Sequence, residues 1–179
     1  MERYIKLYDS VIDKNVCDSM ITLFETQKDL QAVDRINPIM DFKEINLMQN
    51  KDVWGQHISY LSNAFKQVLE QYRVECNVEH WPAKYAFEEI RMKKYEPDTG
   101  KFNQHVDVGD YSTARRFLAF FAYLNPGVSG ETAFDDLGLV VPRNTGSVLV
   151  FPPMWTYPHT GRIPKVNPKY IIGSYLHYV

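Results

Sequence analysis

The amino-acid sequence predicts a mainly β domain, a barrel or two-sheet jelly roll, with two helices packed outside one sheet. Up to about residue 85, apolar residues recur with the 3.6-residue period of helices. Beyond that point the period changes to two, and turn signals separate short segments rich in aromatic and branched residues. Many short strands with frequent turns are typical of a sandwich or barrel.

Two helices are predicted in the first part of the chain. The first begins after Asp13, a suitable N-cap, and its apolar stripe consists of Val16, Met20, Leu23 and Phe24. The second runs from about Asp52 to Tyr72, where apolar residues fall on one side of a helical period. The stretch around Asn37-Pro38 and Asn46 has no clear period and is predicted to be loop with one short strand.

Four strands are predicted in the second part, over residues 87–95, 117–124, 147–151 and 170–178. The turn signals are Asn125-Pro126-Gly127, Ser129-Gly130, Asn144-Thr145-Gly146 and Pro152-Pro153. No repeat or linker divides the sequence. We therefore expect a single domain over residues 1–179, with 1–85 as mainly helical support and 86–179 as the β core.

Composition limits the classes of function. The net charge is −2 and basic runs are absent, which argues against a nucleic-acid partner. Cys17 and Cys76 are too few for a disulfide scaffold and suggest a reducing compartment. No signal peptide or membrane-spanning apolar run is visible, so we expect a cytoplasmic protein without a membrane partner. The short chain would suit a microbial or viral origin; oligomeric state is not predictable.

The pattern His105-Val106-Asp107, followed by His159, predicts a metal site. A histidine and an aspartate two residues apart on an extended strand point to the same side. Two imidazoles and one carboxylate form the ligand set of non-haem Fe(II) oxygenases, which leaves metal positions open. The His-x-Asp pair alone is weak, because a surface histidine beside a turn aspartate would look the same.

Lys169 lies ten residues beyond His159, at the start of the last apolar strand. It is either a solvated charge that protects a sheet edge or a buried anchor for an anion. An anion about 4 Å away would contribute on the order of 4 kcal/mol before desolvation, at an effective dielectric constant of about 20.

The residues around these positions have a distinctive order and spacing. They are the segment from Tyr95 to Asp107, Tyr123-Leu124-Asn125, Gly130-Glu131-Thr132-Ala133-Phe134, Pro142, Gly146, Phe151, His159 and Lys169. Over about residues 88–178 the chain resembles the prolyl 4-hydroxylase branch of the Fe(II)/2-oxoglutarate dioxygenases. The resemblance implies a double-stranded β-helix fold, which agrees with the jelly roll predicted from periodicity. Ser129-Gly130 departs mildly from the Gly-Gly sometimes found in that family.

The resemblance also implies roles for individual residues. His105, Asp107 and His159 match the iron ligands, and Lys169 matches the basic residue that holds the distal carboxylate of 2-oxoglutarate. Such a lysine is similar to that of the collagen-type enzymes. Two tyrosines, Tyr95 and Tyr123, resemble those that line the 2-oxoglutarate pocket in the oxygen-sensing type, so the chain combines features of both subgroups.

The implied activity is hydroxylation coupled to conversion of 2-oxoglutarate to succinate and CO2. Fe(II), 2-oxoglutarate and O2 are the expected cofactor and co-substrates, with ascorbate as reductant. The substrate is expected to be a prolyl residue of a peptide or protein. Two alternatives stay open: the same chemistry on a free amino acid or small metabolite, and a non-catalytic jelly-roll binding module.

Several further residues have two interpretations each. Arg115-Arg116 could meet a substrate or begin a solvated strand, and Trp155 could form a rim or cap the core. His57 is expected to pack in the core rather than bind a metal. Asp135-Asp136 could hold a second metal, but a turn is the simpler interpretation.

Overall fold

The structure is a computed structural model and describes residues 2–179. The α-helices are α1 (Lys14–Thr26) and α2 (Lys51–Glu75), and short 3-10 helices lie at Lys28–Leu30, Leu47–Gln49 and Asp135–Leu137. The strands are β1 (Lys6–Tyr8), β2 (Ala32–Ile36), β3 (Met40–Asn46), β4 (Tyr85–Phe87), β5 (Arg91–Tyr95), β6 (Lys101–His105), β7 (Arg116–Tyr123), β8 (Thr132–Phe134), β9 (Leu139–Val141), β10 (Val148–Phe151), β11 (His159–Gly161) and β12 (Lys169–Tyr178).

All strand pairs are antiparallel, and the sheet curls into a nearly closed barrel. The strand order is β1-β10-β7-β12-β5-β3-β6-β11-β8-β9, with β2 added to β3 and β4 added to β12. The ten-residue strand β12 pairs with β7 along one side and with β5 and β4 along the other. This confirms the predicted mainly β jelly roll.

The two helices cover one outer face of this sheet, as the sequence predicted. Phe65 of α2 packs on Phe120 of β7 with ring centroids 5.5 Å apart. Phe24 of α1 meets Tyr170 of β12 edge to face at 6.0 Å. Asp13 caps α1 by accepting a hydrogen bond from the backbone N–H of Asn15 at 2.7 Å. Within residues 2–179, neither helix combines the length and apolarity needed to cross a bilayer.

The stretch around Asn37-Pro38 and Asn46 was predicted to be loop with one short strand, but it contains two strands, which form the β2–β3 hairpin. Strand β3 lies inside the sheet, between β5 and β6. Its charged side chains hid the strand pattern. Glu44 is buried, yet it is neutralised across the strands by Arg91 at 2.9 Å and Lys93 at 3.5 Å.

A single strand was predicted over residues 87–95, but the structure has two strands there, β4 and β5, which are separated by residues 88–90. At this break, Glu88 donates its backbone N–H to the carbonyl of Tyr175 at 2.8 Å, while its carboxylate turns towards Arg116. The break therefore places a charged side chain beside the end of β12.

Replacing Phe65 with Ala tests the packing of α2 on the sheet. Phe65 is 1% exposed and stacks against the aromatic residues of β4 and β7. We expect F65A to lower the free energy of unfolding by about 3–5 kcal/mol in urea titrations followed by circular dichroism. The matched control on the same helix, V74A, removes an exposed side chain and should change it by less than about 0.5 kcal/mol. Similar values for both variants would contradict this packing.

Candidate metal centre

The strand register brings the two candidate histidines together. His105 ends β6, and His159 begins β11, which pairs with β6 so that the two residues are direct partners. Asp107 lies two residues beyond β6, where its backbone N–H donates to the carbonyl of Pro153 at 3.0 Å. The loop from β10 to β11 therefore holds the aspartate beside the histidine pair.

The three side chains converge on one point. Asp107 Oδ1 lies 3.6 Å from His105 Nε2, and Asp107 Oδ2 lies 3.4 Å from His159 Nε2. One ligand atom from each residue lies within 4.8 Å of the others. Such separations suit three donors that share one ion.

Backbone carbonyls orient both imidazoles. His105 Nδ1 lies 2.7 Å from the carbonyl of Asn103, and His159 Nδ1 lies 3.2 Å from that of Tyr157. Each Nδ1 therefore carries the proton, and each Nε2 presents a lone pair to the shared point. Phe102 stacks on the ring of His105 with centroids 3.5 Å apart and further restricts its rotation.

Two buried atoms of this cluster lack a hydrogen-bond partner in the described chain, Asp107 Oδ2 and His159 Nε2. A buried acceptor left unsatisfied costs about 1–3 kcal/mol. A divalent cation would satisfy both atoms, and two imidazoles with one carboxylate match the ligand set of Fe(II). The residues present therefore fit the metal.

The protonation states also suit metal binding. Burial lowers the pKa of His159 to about 4, so this imidazole is neutral at pH 7. Burial alone would raise the pKa of Asp107, but the nearby histidines and the hydroxyl of Tyr175 bring it below its usual value. A neutral imidazole and an ionised carboxylate are the forms that ligate metals.

Lys169 is a buried cation rather than a solvated edge charge. It is the first residue of β12 and is 2% exposed. No carboxylate lies within salt-bridge distance of its ammonium in residues 2–179; its Nζ lies 5.4 Å from the ring centroid of Tyr95 and 5.6 Å from that of Tyr123. Burial lowers the pKa of Lys169 to about 7; the charge of Arg143 adds to this effect, and the charge of Glu131 partly opposes it.

The predicted tyrosines lie on either side of Lys169, but in different roles. Tyr95 is the direct partner of Lys169 in the β5–β12 pair and lines the cavity that contains the metal cluster. Tyr123 is buried behind the cavity wall, and its hydroxyl donates to Thr132 Oγ1 at 2.7 Å. Thr132 itself lines the cavity, although sequence reasoning did not select it.

Sequence reasoning also missed Tyr175, whose hydroxyl donates to Asp107 Oδ1 at 2.9 Å. Burial raises its pKa well above the usual value, so the phenol remains a hydrogen-bond donor. A usable signal was present in the sequence. Tyr175 lies six residues after Lys169 on one strand, and the period of two places both on the same face.

Arg115 is exposed and Arg116 begins β7, as expected of a strand start. The guanidinium of Arg116 is only partly exposed, because it pairs with Glu88 at 2.9 Å and lies over the ring of Tyr175, 4.2 Å from the centroid. Trp155 is 77% exposed and does not cap the core.

The remaining candidates lie outside the cluster. His57 Nε2 contacts Ser19 Oγ at 2.9 Å, between the two helices. Asp135 and Asp136 form the start of a short 3-10 helix and bind neighbouring side chains, which agrees with a turn.

The burial of Lys169 without an ion-pair partner in residues 2–179 predicts a specific pH dependence of stability. Its folded-state pKa of about 7 lies below the ordinary value of 10.5, so between these values the unfolded chain binds the extra proton and wild-type stability rises with pH. We expect K169M to be more stable than wild type by a few kcal/mol near pH 7, and this advantage to shrink towards pH 10.

Urea unfolding at pH 7 and pH 9.5, without added ligand, measures the effect. The control K165M removes a lysine that is 57% exposed and should leave the pH dependence of wild type unchanged. A K169M protein less stable than wild type at pH 7 would show that the buried ammonium is compensated.

The sequence matches no protein-family model and no curated protein. Solved structures, in contrast, match along nearly the whole chain. A viral collagen prolyl hydroxylase from Paramecium bursaria Chlorella virus-1, in complex with 2OG, superposes with a TM-score of 0.76 at 19% identity over 98% of this chain and 97% of that one.

Two further structures show the same similarity. A prolyl hydroxylase from Trichoplax adhaerens, in complex with a peptide fragment of a hypoxia-inducible factor, has a TM-score of 0.76 at 13% identity and covers 99% of this chain and 84% of its own. A Pseudomonas putida prolyl-4-hydroxylase has a TM-score of 0.70 at 16% identity and covers 98% of this chain and 92% of its own. The chain therefore has the fold of the prolyl hydroxylases, as its sequence motifs suggested.

Proposed function

We propose that the protein is an Fe(II)- and 2-oxoglutarate-dependent hydroxylase whose substrate is a prolyl residue of a peptide or protein. The observation that carries this proposal is a single cavity lined by the triad His105, Asp107 and His159 and by the uncompensated cation Lys169. A metal site alone needs no buried lysine. A site for a dicarboxylic acid that binds the metal at one end needs the metal ligands and also a cation for the other carboxylate.

In this proposal His105 Nε2, His159 Nε2 and one oxygen of Asp107 hold the iron. When bound together, Fe(II), 2-oxoglutarate and O2 supply the oxidising chemistry that hydroxylates a C–H bond and releases succinate and CO2. The chain contributes orientation. Backbone carbonyls direct the imidazoles, and the carbonyl of Pro153 holds Asp107 in place.

Lys169 would bind the distal carboxylate of 2-oxoglutarate. A buried ammonium without a partner is unfavourable, and a carboxylate ligand supplies the missing counter-charge. Tyr95 forms the wall beside it, and the hydroxyl of Thr132, held by Tyr123, provides a polar group on the opposite strand. The rest of the cavity wall is largely apolar, which excludes water from the reacting centre.

A peptide substrate is supported by the shape of the surface outside the triad. An open groove runs past His105 and Asp107, between the β2–β3 hairpin and the loop 109–113. The structurally similar Trichoplax enzyme was solved with a peptide, and the viral neighbour is described as a collagen prolyl hydroxylase. Both support a groove that accepts an extended chain.

A small anionic substrate is the second candidate. Arg91 and Lys93 also line the cavity and could hold a substrate carboxylate. Glu44 lies between them and neutralises part of their charge, which makes this alternative weaker. A non-catalytic binding module is disfavoured, since such a module would bear the cost of a buried Lys169 without using it.

Succinate formation from 2-oxoglutarate tests the proposed activity directly. We expect turnover with Fe(II) and a proline-rich peptide panel, and loss of turnover by at least about 100-fold in H105A and D107A, which lack a metal ligand. Ascorbate is expected to sustain turnover. The control H80A removes an exposed histidine outside the cavity and should retain activity.

The substrate panel also separates the alternatives. Turnover with small carboxylic acids but not with peptides would favour the second candidate. Wild-type turnover equal to that of D107A under all conditions would refute the proposed function.

The pH dependence of 2-oxoglutarate binding tests Lys169. Binding of a dianion needs the protonated amine, whose pKa in the unliganded protein is about 7. We therefore expect the Kd for 2-oxoglutarate to rise by about tenfold per pH unit above pH 7 in wild type. In K169R the guanidinium stays charged, so the same titration should be nearly flat between pH 7 and 9. Identical slopes in the two proteins would exclude Lys169 as the titrating group.

A further inference from the structure

Asp107 and three neighbouring residues form a closed ring of contacts beside the cavity. Tyr175 donates its hydroxyl to Asp107 Oδ1 at 2.9 Å, and Arg116 donates to the backbone carbonyl of Asp107 at 3.3 Å. Arg116 in turn pairs with Glu88 at 2.9 Å, and the backbone of Glu88 bonds the carbonyl of Tyr175 at 2.8 Å. The ring therefore ties the aspartate, both side chain and backbone, to β7 and β12.

This arrangement treats the two oxygens of Asp107 differently. Oδ1 accepts the hydrogen bond of Tyr175, whereas Oδ2 is buried without a partner in the described chain and lies 3.4 Å from His159 Nε2. A carboxylate that is free to rotate can bind a metal through both oxygens. A carboxylate whose one oxygen accepts a hydrogen bond from a fixed donor is restrained in its rotation, which favours metal binding through the other oxygen.

Tyr175 is itself held rigidly. The guanidinium of Arg116 lies over its ring at 4.2 Å, and the ring of Phe121 meets it edge to face at 6.2 Å. The phenol cannot follow a rotating carboxylate without breaking these contacts. The fixed position of the Tyr175 phenol therefore restrains the rotation of the Asp107 carboxylate.

We propose that Tyr175 is a positioning residue that makes Asp107 a one-oxygen metal ligand and so keeps three metal positions open. Two imidazoles and one carboxylate oxygen occupy half of an octahedron, which leaves room for a bidentate co-substrate and O2. Coordination through both oxygens of Asp107 would occupy one of these positions. The inference deepens the proposed function and rests on the metal site described there.

Mn(II) provides a probe that does not require turnover. Water-proton relaxation of the Mn(II)-loaded protein, at saturating protein and without 2-oxoglutarate, counts the exchangeable waters on the metal. We expect about three waters in wild type and about one fewer in Y175F, because Asp107 then binds through both oxygens. A Y175 variant with p-aminophenylalanine retains an N–H donor and should restore the wild-type count.

The matched control is Y170F. Tyr170 lies on the same strand but on the opposite face, where its hydroxyl donates to Glu25 at 2.6 Å. Both variants lose one tyrosine–carboxylate hydrogen bond, so thermal unfolding should show similar destabilisation. Only Y175F should change the metal hydration, which separates positioning from stability.

A second variant, R116M, removes the cation over the ring without touching the phenol, and we expect it to lower the water count in the same direction. Unchanged counts in both Y175F and R116M would overturn the inference while leaving the proposed function intact. Failure of wild type to bind Mn(II), by contrast, would refute the metal site and with it both proposals.

Discussion

The register of β12 is the constraint on which the rest of the structure depends. Its residues alternate between the two faces of the sheet, with Tyr170, Ile172 and Leu176 packed beneath the helices. Lys169 and Tyr175 belong to the opposite set and line the cavity. A shift by one residue would exchange the two sets and place a lysine beneath the helices. Pairing with β7 over residues 171–177, and with β5 and β4 on the other side, holds the strand against such a shift.

The register of β12 couples the stability of the fold to the composition of the cavity. One face of the strand buries apolar area on folding, and the other carries a desolvated ammonium and a phenol. The free energy gained from apolar burial offsets the cost of burying these polar groups. A protein under selection for stability alone would not place an uncompensated lysine on its central strand. Under the proposed function, the cavity is a region where folding free energy is given up for the binding of an anion.

The electrostatics of the cavity follow from the same burial. The low-dielectric interior keeps His159 neutral and brings the pKa of Lys169 close to neutrality. The pKa of Asp107 lies below its usual value, and the hydrogen bond from the phenol of Tyr175 favours the ionised carboxylate. Each group is thus held near the charge state that a metal or a dicarboxylate requires. Bound ligands would relieve the remaining imbalance, since a cation satisfies the triad and a carboxylate satisfies the lysine.

The fold class and the candidate site could be predicted from the periodicity and the residue types of the sequence alone. The change of period near residue 85 predicted external helices and a β core, because burial on one side leaves a repeat in the sequence. The order and type of His105, Asp107, His159 and Lys169 pointed to a metal and an anion. Only the tertiary structure revealed the β2–β3 hairpin, since Glu44 is neutralised by residues almost fifty positions away.

The same reason explains the missed residues of the site. Tyr175 and Arg116 matter through contacts with Asp107 that join three separate segments of the chain. The period of β12 places Tyr175 on the face of Lys169, but its contact with Asp107 depends on the tertiary structure. From the sequence, Lys169 could be a sheet-edge charge or a buried anchor. The structure shows that it is buried between neighbouring strands. The sequence by itself determined which chemical groups are present and which faces are apolar. The burial of each group, and the partners that set its charge, were decided only when distant strands came together.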